Sequence, residues 1–155
     1  MSYRSSTGPF ALGTATGARN SLGLATLAFS ERRPRASRSM TALQSPSGRV
    51  VAAVLVGLEL VGDKLPTAPS RLKPPILMGR LLVGGLGGAV LAQRGGRHLL
   101  LGGLLGGTGA ATGAFGGFRG RQAVAGRDWP DLPAAVAEDA LALGLACAAR
   151  ALDAR

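Results

Sequence analysis

The sequence has little of what catalytic centres and nucleic-acid interfaces require. Cys147 is the one cysteine and His98 the one histidine, so an internal disulfide is excluded and we expect no metal site. The sequence contains no Ser–His–acid or Cys–His arrangement, and no motif in it predicts a cofactor. Aromatic residues make up only 4%, which leaves no platforms for bases to stack on between the arginines. We therefore expect neither an enzyme nor a nucleic-acid-binding protein.

Charged residues are also scarce. They make up 17% of the chain, against about 25% in typical soluble domains. Hydrophobic residues make up 46%, and 25 of the 155 residues are glycine, well above the usual share of about 7%. Such a composition is typical either of a glycine-rich disordered chain or of glycine-rich membrane helices. The abundance of Leu, Val and Ala favours the membrane, because disordered chains are poor in apolar residues.

The formal net charge of +10 comes largely from arginines that border apolar stretches. Basic residues in such positions are attracted to anionic lipid headgroups, so the partner that we expect is the lipid bilayer. The bordering residues are Arg32, Arg33, Arg35, Arg38, Arg49, Arg94, Arg97, Arg119, Arg121 and Arg127.

Five stretches of the chain are apolar enough to be membrane-spanning helices. The clearest holds twenty residues without a charge, about 30 Å of helix, which matches the thickness of the hydrocarbon layer. The weakest is the first, which contains Arg19 and which we expect to be broken between Gly17 and Ser21. The candidate spans are residues 8–29, 50–65, 76–92, 99–118 and 133–152.

These spans predict an all-α, polytopic transmembrane bundle of four to five helices, forming a single integral membrane domain over residues 1–155. The start of the sequence lacks the pattern of a cleaved signal peptide, so we expect the first spans to direct insertion. Five spans leave the orientation undecided, because basic residues are almost evenly divided between the two sides. One side receives seven (Arg4, Lys64, Arg71, Lys73, Arg119, Arg121, Arg127) and the other nine (Arg32, Arg33, Arg35, Arg38, Arg49, Arg94, Arg97, Arg150, Arg155).

Glycines recur in an ordered pattern within the candidate spans. Gly102, Gly106, Gly109, Gly113 and Gly116 are spaced by four, three, four and three residues, and Gly84 and Gly88 form a GxxxG pair on the preceding span. Small residues let membrane helices approach closely, so we predict that both sets lie at helix–helix contacts and that Gly-rich faces support a homo-oligomer. Compositional bias is the alternative, but it accounts for the abundance of glycine and not for its order.

Charged residues inside the spans are the candidates for function. Each costs about 2.5 to 3.5 kcal/mol on insertion scales, so such residues are rarely accidental. Five spans place the acids at similar depth, together with the arginines of the first and third spans. Two functions remain open: a transporter- or channel-like protein with a polar site for a small solute or ion, or a structural membrane protein whose charges only hold helices together. The residues are Arg19, Glu59, Asp63, Arg80, Glu138 and Asp139.

Several of the same residues lie in stretches that resemble a known family. Residues 58–66 (LELVGDKLP) continue through Pro74 and Pro75 to Arg80, and residues 17–19 (GAR), 130–133 (PDLP) and 137–140 (AEDA) accompany them. Together they are similar to the bacterial membrane-protein family called domain of unknown function 4126. The resemblance implies a multi-pass protein of the cell inner membrane and no assigned activity.

Overall fold

Most of the residues that the computed structural model describes, which are 7–31, 38–62, 72–125 and 131–153, are helical, and none of them lies in a strand. The expected all-α class is confirmed for these ranges. In chain order the helices are α1 (Thr7–Ala18), α2 (Asn20–Ala28), α3 (Arg38–Leu43), α4 (Pro46–Gly62), α5 (Pro74–Arg94), α6 (Leu99–Ala125) and α7 (Asp131–Asp153).

The first two helices form an antiparallel hairpin. A Cβ atom on Gly23 of α2 would overlap the side chain of Thr16 in α1, and Leu27 shares a buried cluster with Leu12. Both pairs are centred between Arg19 and Asn20, so the chain reverses direction at that point. The break predicted between Gly17 and Ser21 is confirmed, and the stretch expected as span 8–29 forms two helices that fold back on each other.

The four long helices run alongside the hairpin and extend beyond it. We call the end of the bundle that holds Thr7 and Ser30 the base end, and the opposite end the far end. Arg94 at the end of α5 donates a 2.6 Å hydrogen bond to Ser30 Oγ, and Arg49 at the start of α4 donates one of 3.1 Å to the Ala28 carbonyl. Both helices therefore have one terminus at the base end.

The sequence sets where α5 begins and ends. Pro74 and Pro75 open the helix, where a missing N–H costs nothing. At the other end Gly96 has a φ of 71°, a left-handed conformation that favours glycine. The Arg97 amide then reaches the Ala92 carbonyl at 2.9 Å, which completes a Schellman motif and turns the chain into α6.

The ordered glycines lie where α6 meets its neighbours inside one chain. A Cβ on Gly102 or Gly106 would overlap the backbone of α5 near Gly88 and Gly84, and the converse holds for Gly88. Farther along α6, a Cβ on Gly109 or Gly113 would overlap carbonyl oxygens of α1. The prediction is wrong for Gly116, which is exposed and where a Cβ would meet nothing within 4 Å. The homo-oligomer stays a prediction, and the buried glycines of the pattern do not offer a surface for it because their own chain covers them.

The described part of the protein has small residues inside and large apolar residues outside. Twelve of the sixteen buried hydrophobic residues are alanine. Twenty large hydrophobic side chains are exposed, among them Leu86 at 68%, Leu100 at 77% and Leu141 at 70%. Arg19 and Arg80 are buried instead. Many exposed large apolar side chains together with two buried arginines depart from the usual pattern of a water-soluble domain.

Two described helices are long and apolar enough to cross a membrane by length and composition. They are Pro74–Arg94 and, within α6, Leu99–Ala123. The number is smaller than the four or five spans expected from the sequence.

Candidate polar site at the hairpin tip

The reversal between α1 and α2 creates two open helix ends at one point. Arg19 has an extended backbone, with φ −140° and ψ 110°, and separates Ala18 from Asn20. The last carbonyls of α1 and the first amides of α2 have no partner within their own helices. Three residues, Ala18, Arg19 and Asn20, form what we call the hairpin tip.

Glu59 of α4 caps the start of α2. Its carboxylate oxygens accept hydrogen bonds from the backbone amides of Asn20 at 2.8 Å and Ser21 at 2.7 Å, and a third from the Ser21 hydroxyl. A carboxylate in this position also interacts favourably with the positive end of the helix dipole. Glu59 thus takes the place that a capping side chain within α2 would fill, since Arg19 makes no such bond.

Arg80 of α5 caps the end of α1. Its Nη1 donates to the carbonyl oxygens of Gly17 and Ala18, the latter at 2.9 Å, and its Nη2 lies 3.3 Å from Glu59 Oε1. A cation is favourable at the negative end of a helix dipole. One Arg–Glu pair therefore satisfies both open ends of the hairpin and joins α4 to α5 across the tip.

Arg19 itself points to α7. Its Nε donates to Asp139 Oδ1 at 2.8 Å, and its Nη2 donates to the same oxygen. Its Nη1 also lies 3.5 Å from the backbone carbonyl of Glu59. α4, α5 and α7 each contribute a charged residue to the hairpin tip. Ion pairs and hydrogen bonds therefore join these three helices to the hairpin at this point.

The two arginines and the two carboxylates of this cluster differ in accessibility. Arg19 is 1% exposed and Arg80 is 4% exposed, whereas Asp139 is 12% and Glu59 16% exposed. A guanidinium removed from water to this degree needs the full set of partners that the tip supplies. The two carboxylates are therefore more accessible than the two guanidiniums.

The structure brings together four of the six charged residues predicted from the sequence: Arg19, Glu59, Arg80 and Asp139. Glu138 lies beside Asp139 in α7 but accepts a 3.1 Å hydrogen bond from Arg121 Nε of α6. Asp63 lies outside the described residues. The topology argument thus identified the cluster, although it did not identify which acid pairs with which arginine.

Sequence reasoning missed a second polar cluster, at the base end of α2. Gln44 is 1% exposed, and its Nε2 donates to the carbonyl oxygens of Leu27 and Ser30 at 3.3 and 3.2 Å. The Oγ of Ser30 accepts from both Gln44 and Arg94. Gln44 carries no charge and sits outside any apolar stretch, so the sequence offered no signal. Arg121 was missed as a partner because it was interpreted as a residue bordering a span.

Within the described ranges, no group of three or more His, Cys, Asp or Glu residues is placed to hold a metal ion. In comparisons with known proteins, no family model, curated protein or solved structure matches the chain. The resemblance to domain of unknown function 4126 stays a prediction from the sequence, and the geometry of the site carries the functional interpretation.

Proposed function

We propose that the protein is a multi-pass integral protein of the bacterial inner membrane, with α4, α5, α6 and α7 as spans and the α1–α2 hairpin as a re-entrant element. Large apolar side chains on the outside suit lipid, and the buried arginines suit an interior shielded from it. Non-helical backbone at membrane depth is tolerated only where protein supplies its hydrogen bonds. Glu59 and Arg80 supply them at the hairpin tip.

We further propose that the hairpin tip is the polar site of a small transporter- or channel-like protein that acts on a small solute or ion. The supporting observation is a helix pair that ends part-way along the bundle, with its open ends facing charged residues of the surrounding helices. Interrupted helices of this kind form substrate and ion sites in many transporters. Accessible carboxylates and buried guanidiniums fit a site that receives a cation or proton more readily than an anion.

A structural role is the second candidate, and a specific observation favours it. Glu59, Asp139 and Glu138 each pair with an arginine of another element. Such pairs hold helices in register without binding anything else. The two functions differ in what happens when an acid is replaced by its amide.

Conservative substitutions separate the two functions. If the tip is a transport site, Glu59→Gln and Asp139→Asn keep the side-chain shape, and we expect the detergent melting temperature to change little while flux falls at least about tenfold. The assay is proton, Na⁺ and K⁺ flux into liposomes that hold the purified protein, with empty liposomes as reference. Wild-type flux equal to the reference, together with large losses of stability in both variants, would establish the structural role.

Membrane integration has a simple biochemical test. The protein is expected to remain in the membrane fraction after alkaline carbonate and after 1 M salt, and to need detergent for extraction. At 1 M salt the screening length is on the order of 3 Å, so binding that depends on basic loops would be lost. Release into the supernatant by salt alone would contradict the integral topology.

Four spans with a re-entrant hairpin also predict an orientation. In this topology the hairpin returns to the base end. The loops, chain termini and helix ends at the base end then carry ten basic residues, and those at the far end carry six. The base-end residues are Arg4, Arg32, Arg33, Arg35, Arg38, Arg49, Arg94, Arg97, Arg150 and Arg155; the far-end residues are Lys64, Arg71, Lys73, Arg119, Arg121 and Arg127.

We therefore expect the base end to face the cytoplasm. In a Cys147→Ser background, Ser70→Cys should react with a membrane-impermeant thiol reagent in intact spheroplasts. Ser37→Cys should react only after permeabilisation. The opposite labelling pattern would reverse the orientation, and equal labelling of both sites would argue against a fixed topology.

A further inference from the structure

Arg49, at the base end of the bundle, differs from the arginines inside it in what faces its charge. The two arginines of the hairpin tip and the one near the end of α6 each pair with a carboxylate. Arg49, in the first turn of α4, donates from Nε to the Ala28 carbonyl at 3.1 Å, and its guanidinium lies 5.8 Å from the centroid of the Phe29 ring. Neither partner carries a negative charge, and no carboxylate among the described residues pairs with Arg49.

These two contacts orient the Arg49 guanidinium and leave its terminal nitrogens open. Nε is used by the end of α2, whereas Nη1 and Nη2 make no hydrogen bond within the part of the chain that the structure describes. The two Nη groups form a planar fork that matches two oxygens of a phosphate or carboxylate. A fork that is already held in place loses little side-chain entropy when an anion binds.

A second cation lies beside Arg49. Arg94 of α5 donates to Ser30 Oγ at 2.6 Å, and Ser30 follows Ala28 by two residues. The Cα atoms of the two anchoring residues are therefore at most about 7 Å apart. Two guanidiniums anchored at neighbouring points repel each other. An anion at Arg49 relieves this repulsion, whereas a zwitterion brings a further positive charge into the same field.

The surface around Arg49 is also open to lipid. Phe29 is 40% exposed, and Val50 and Val51, which follow Arg49 on α4, are 62% and 59% exposed. In the proposed topology this end of α4 lies at the membrane surface, where guanidiniums reach the headgroups and apolar side chains face the acyl chains. A ligand that suits both surfaces carries a negative charge and acyl chains in one molecule.

We propose that Arg49 binds the phosphate group of an anionic phospholipid at a defined site. Its two terminal nitrogens donate to two phosphate oxygens, Arg94 adds positive potential, and the acyl chains lie against Val50 and Val51. The inference rests on the proposed membrane placement and adds a specific lipid partner. It differs from the general attraction of basic loops to the membrane, because the fork is oriented by Phe29 before the lipid arrives.

Native mass spectrometry of the full-length protein in detergent tests this site. The probe is an equimolar mixture of phosphatidylglycerol and phosphatidylcholine with the same acyl chains. The wild type is expected to retain one phosphatidylglycerol in preference to phosphatidylcholine by at least about fivefold, the contribution of one arginine near an anionic headgroup. Equal retention of the two lipids, in a protein that still needs detergent for extraction, would refute the lipid site and leave the membrane placement intact.

A competition experiment distinguishes the lipid from a free ion. Inorganic phosphate at the same concentration as the lipid should leave the phosphatidylglycerol adduct unchanged, because the free ion makes no contact with the apolar surface. Displacement of the lipid under these conditions would assign the fork to free phosphate and overturn the proposal.

A matched pair of variants decides whether Arg49 is responsible. Arg49→Gln removes the fork and should abolish most of the preference. Arg150→Gln removes the same charge from an exposed residue of α7 at the base end, whose guanidinium no described residue holds, and should change the preference by less than about twofold. Equal losses in the two variants would reduce the effect to overall charge and overturn the site.

Two further variants keep a positive charge at or near this position. Arg49→Lys retains the charge without the planar fork, so an intermediate preference is expected. Phe29→Leu leaves Arg49 in place but removes the ring that orients it, and should also lower the preference, which tests the site even if Arg49→Gln accumulates poorly. A preference that stays at the wild-type value in both Arg49→Lys and Phe29→Leu would contradict an oriented site.

Discussion

Replacing Arg80 by methionine is expected to destabilise the protein by about 3 to 5 kcal/mol, as for other broken buried ion pairs, and to prevent its accumulation in the membrane. The guanidinium is 4% exposed and reaches two carbonyl oxygens of α1 as well as Glu59. Without it the end of α1 loses its cap, and Glu59 remains as an uncompensated charge. The measurement is thermal unfolding in detergent, together with the amount of protein in membranes.

Two further variants identify the cause of that loss. Arg119→Met, at an exposed position near the far end of α6, should change the free energy of unfolding by no more than about 0.5 kcal/mol. Arg80→Lys keeps the charge but lacks the planar fork that serves both α1 and Glu59, so an intermediate loss is expected. Equal melting temperatures for Arg80→Met and Arg119→Met would mean that the tip does not depend on its arginine.

A double substitution measures how far Arg80 and Glu59 act as one unit. Glu59→Gln in the Arg80→Met background removes the carboxylate that Arg80 no longer neutralises. The combined loss of stability should therefore be smaller than the sum of the two single losses. Additive losses would show that each residue acts mainly through the helix end that it caps.

Local features of the sequence predicted much of this fold. Glycines and polar residues around Arg19 predicted the break in the first helix, and apolar runs between basic borders predicted the long helices to within a few residues at most ends. Four charged residues that meet at the tip were identified by their position inside apolar stretches. In each case the signal lies within one turn or one helix.

The reversal of the chain at Arg19 depends on contacts that the sequence does not display. A broken helix that continues across the membrane and one that folds back have the same local composition. What separates them is whether Gly23 meets Thr16 and Leu27 meets Leu12, which is tertiary packing. The pairing of Arg121 with Glu138 has the same origin, since it depends on how α6 and α7 are rotated toward each other.

The reversal of the chain at Arg19 also changes how the basic residues are divided between the two sides of the proposed membrane topology. With five crossings the two sides receive seven and nine, and with four crossings and a re-entrant hairpin they receive six and ten. The proposed re-entrant hairpin assigns Arg4 and the segment from Arg32 to Arg49 to one side of the membrane. The rule that positive loops stay in the cytoplasm then gives a direction where it gave none before.

Replacing Gly106 by alanine is expected to destabilise the protein by about 1 to 3 kcal/mol, the usual range for overpacking, and replacing it by leucine by more. The added Cβ would overlap the Gly84 carbonyl and lie 3.0 Å from Gly88 Cα. Both obstacles are backbone, so relief requires α5 and α6 to move apart. Separating them would also weaken the contact between Gly13 of α1 and the Gly106 backbone. The measurement is again thermal unfolding in detergent.

Gly116 on the same helix provides the matched control, with an effect of opposite sign. It is exposed, and a Cβ there would meet nothing within 4 Å. Gly116→Ala should therefore stabilise the protein by about 0.5 to 1 kcal/mol through helix propensity alone. Two identical substitutions, ten residues apart in one helix, then move the melting temperature in opposite directions. If both variants stabilise the protein, α5 and α6 do not need glycine at their contact, and compositional bias becomes the explanation of the ordered glycines.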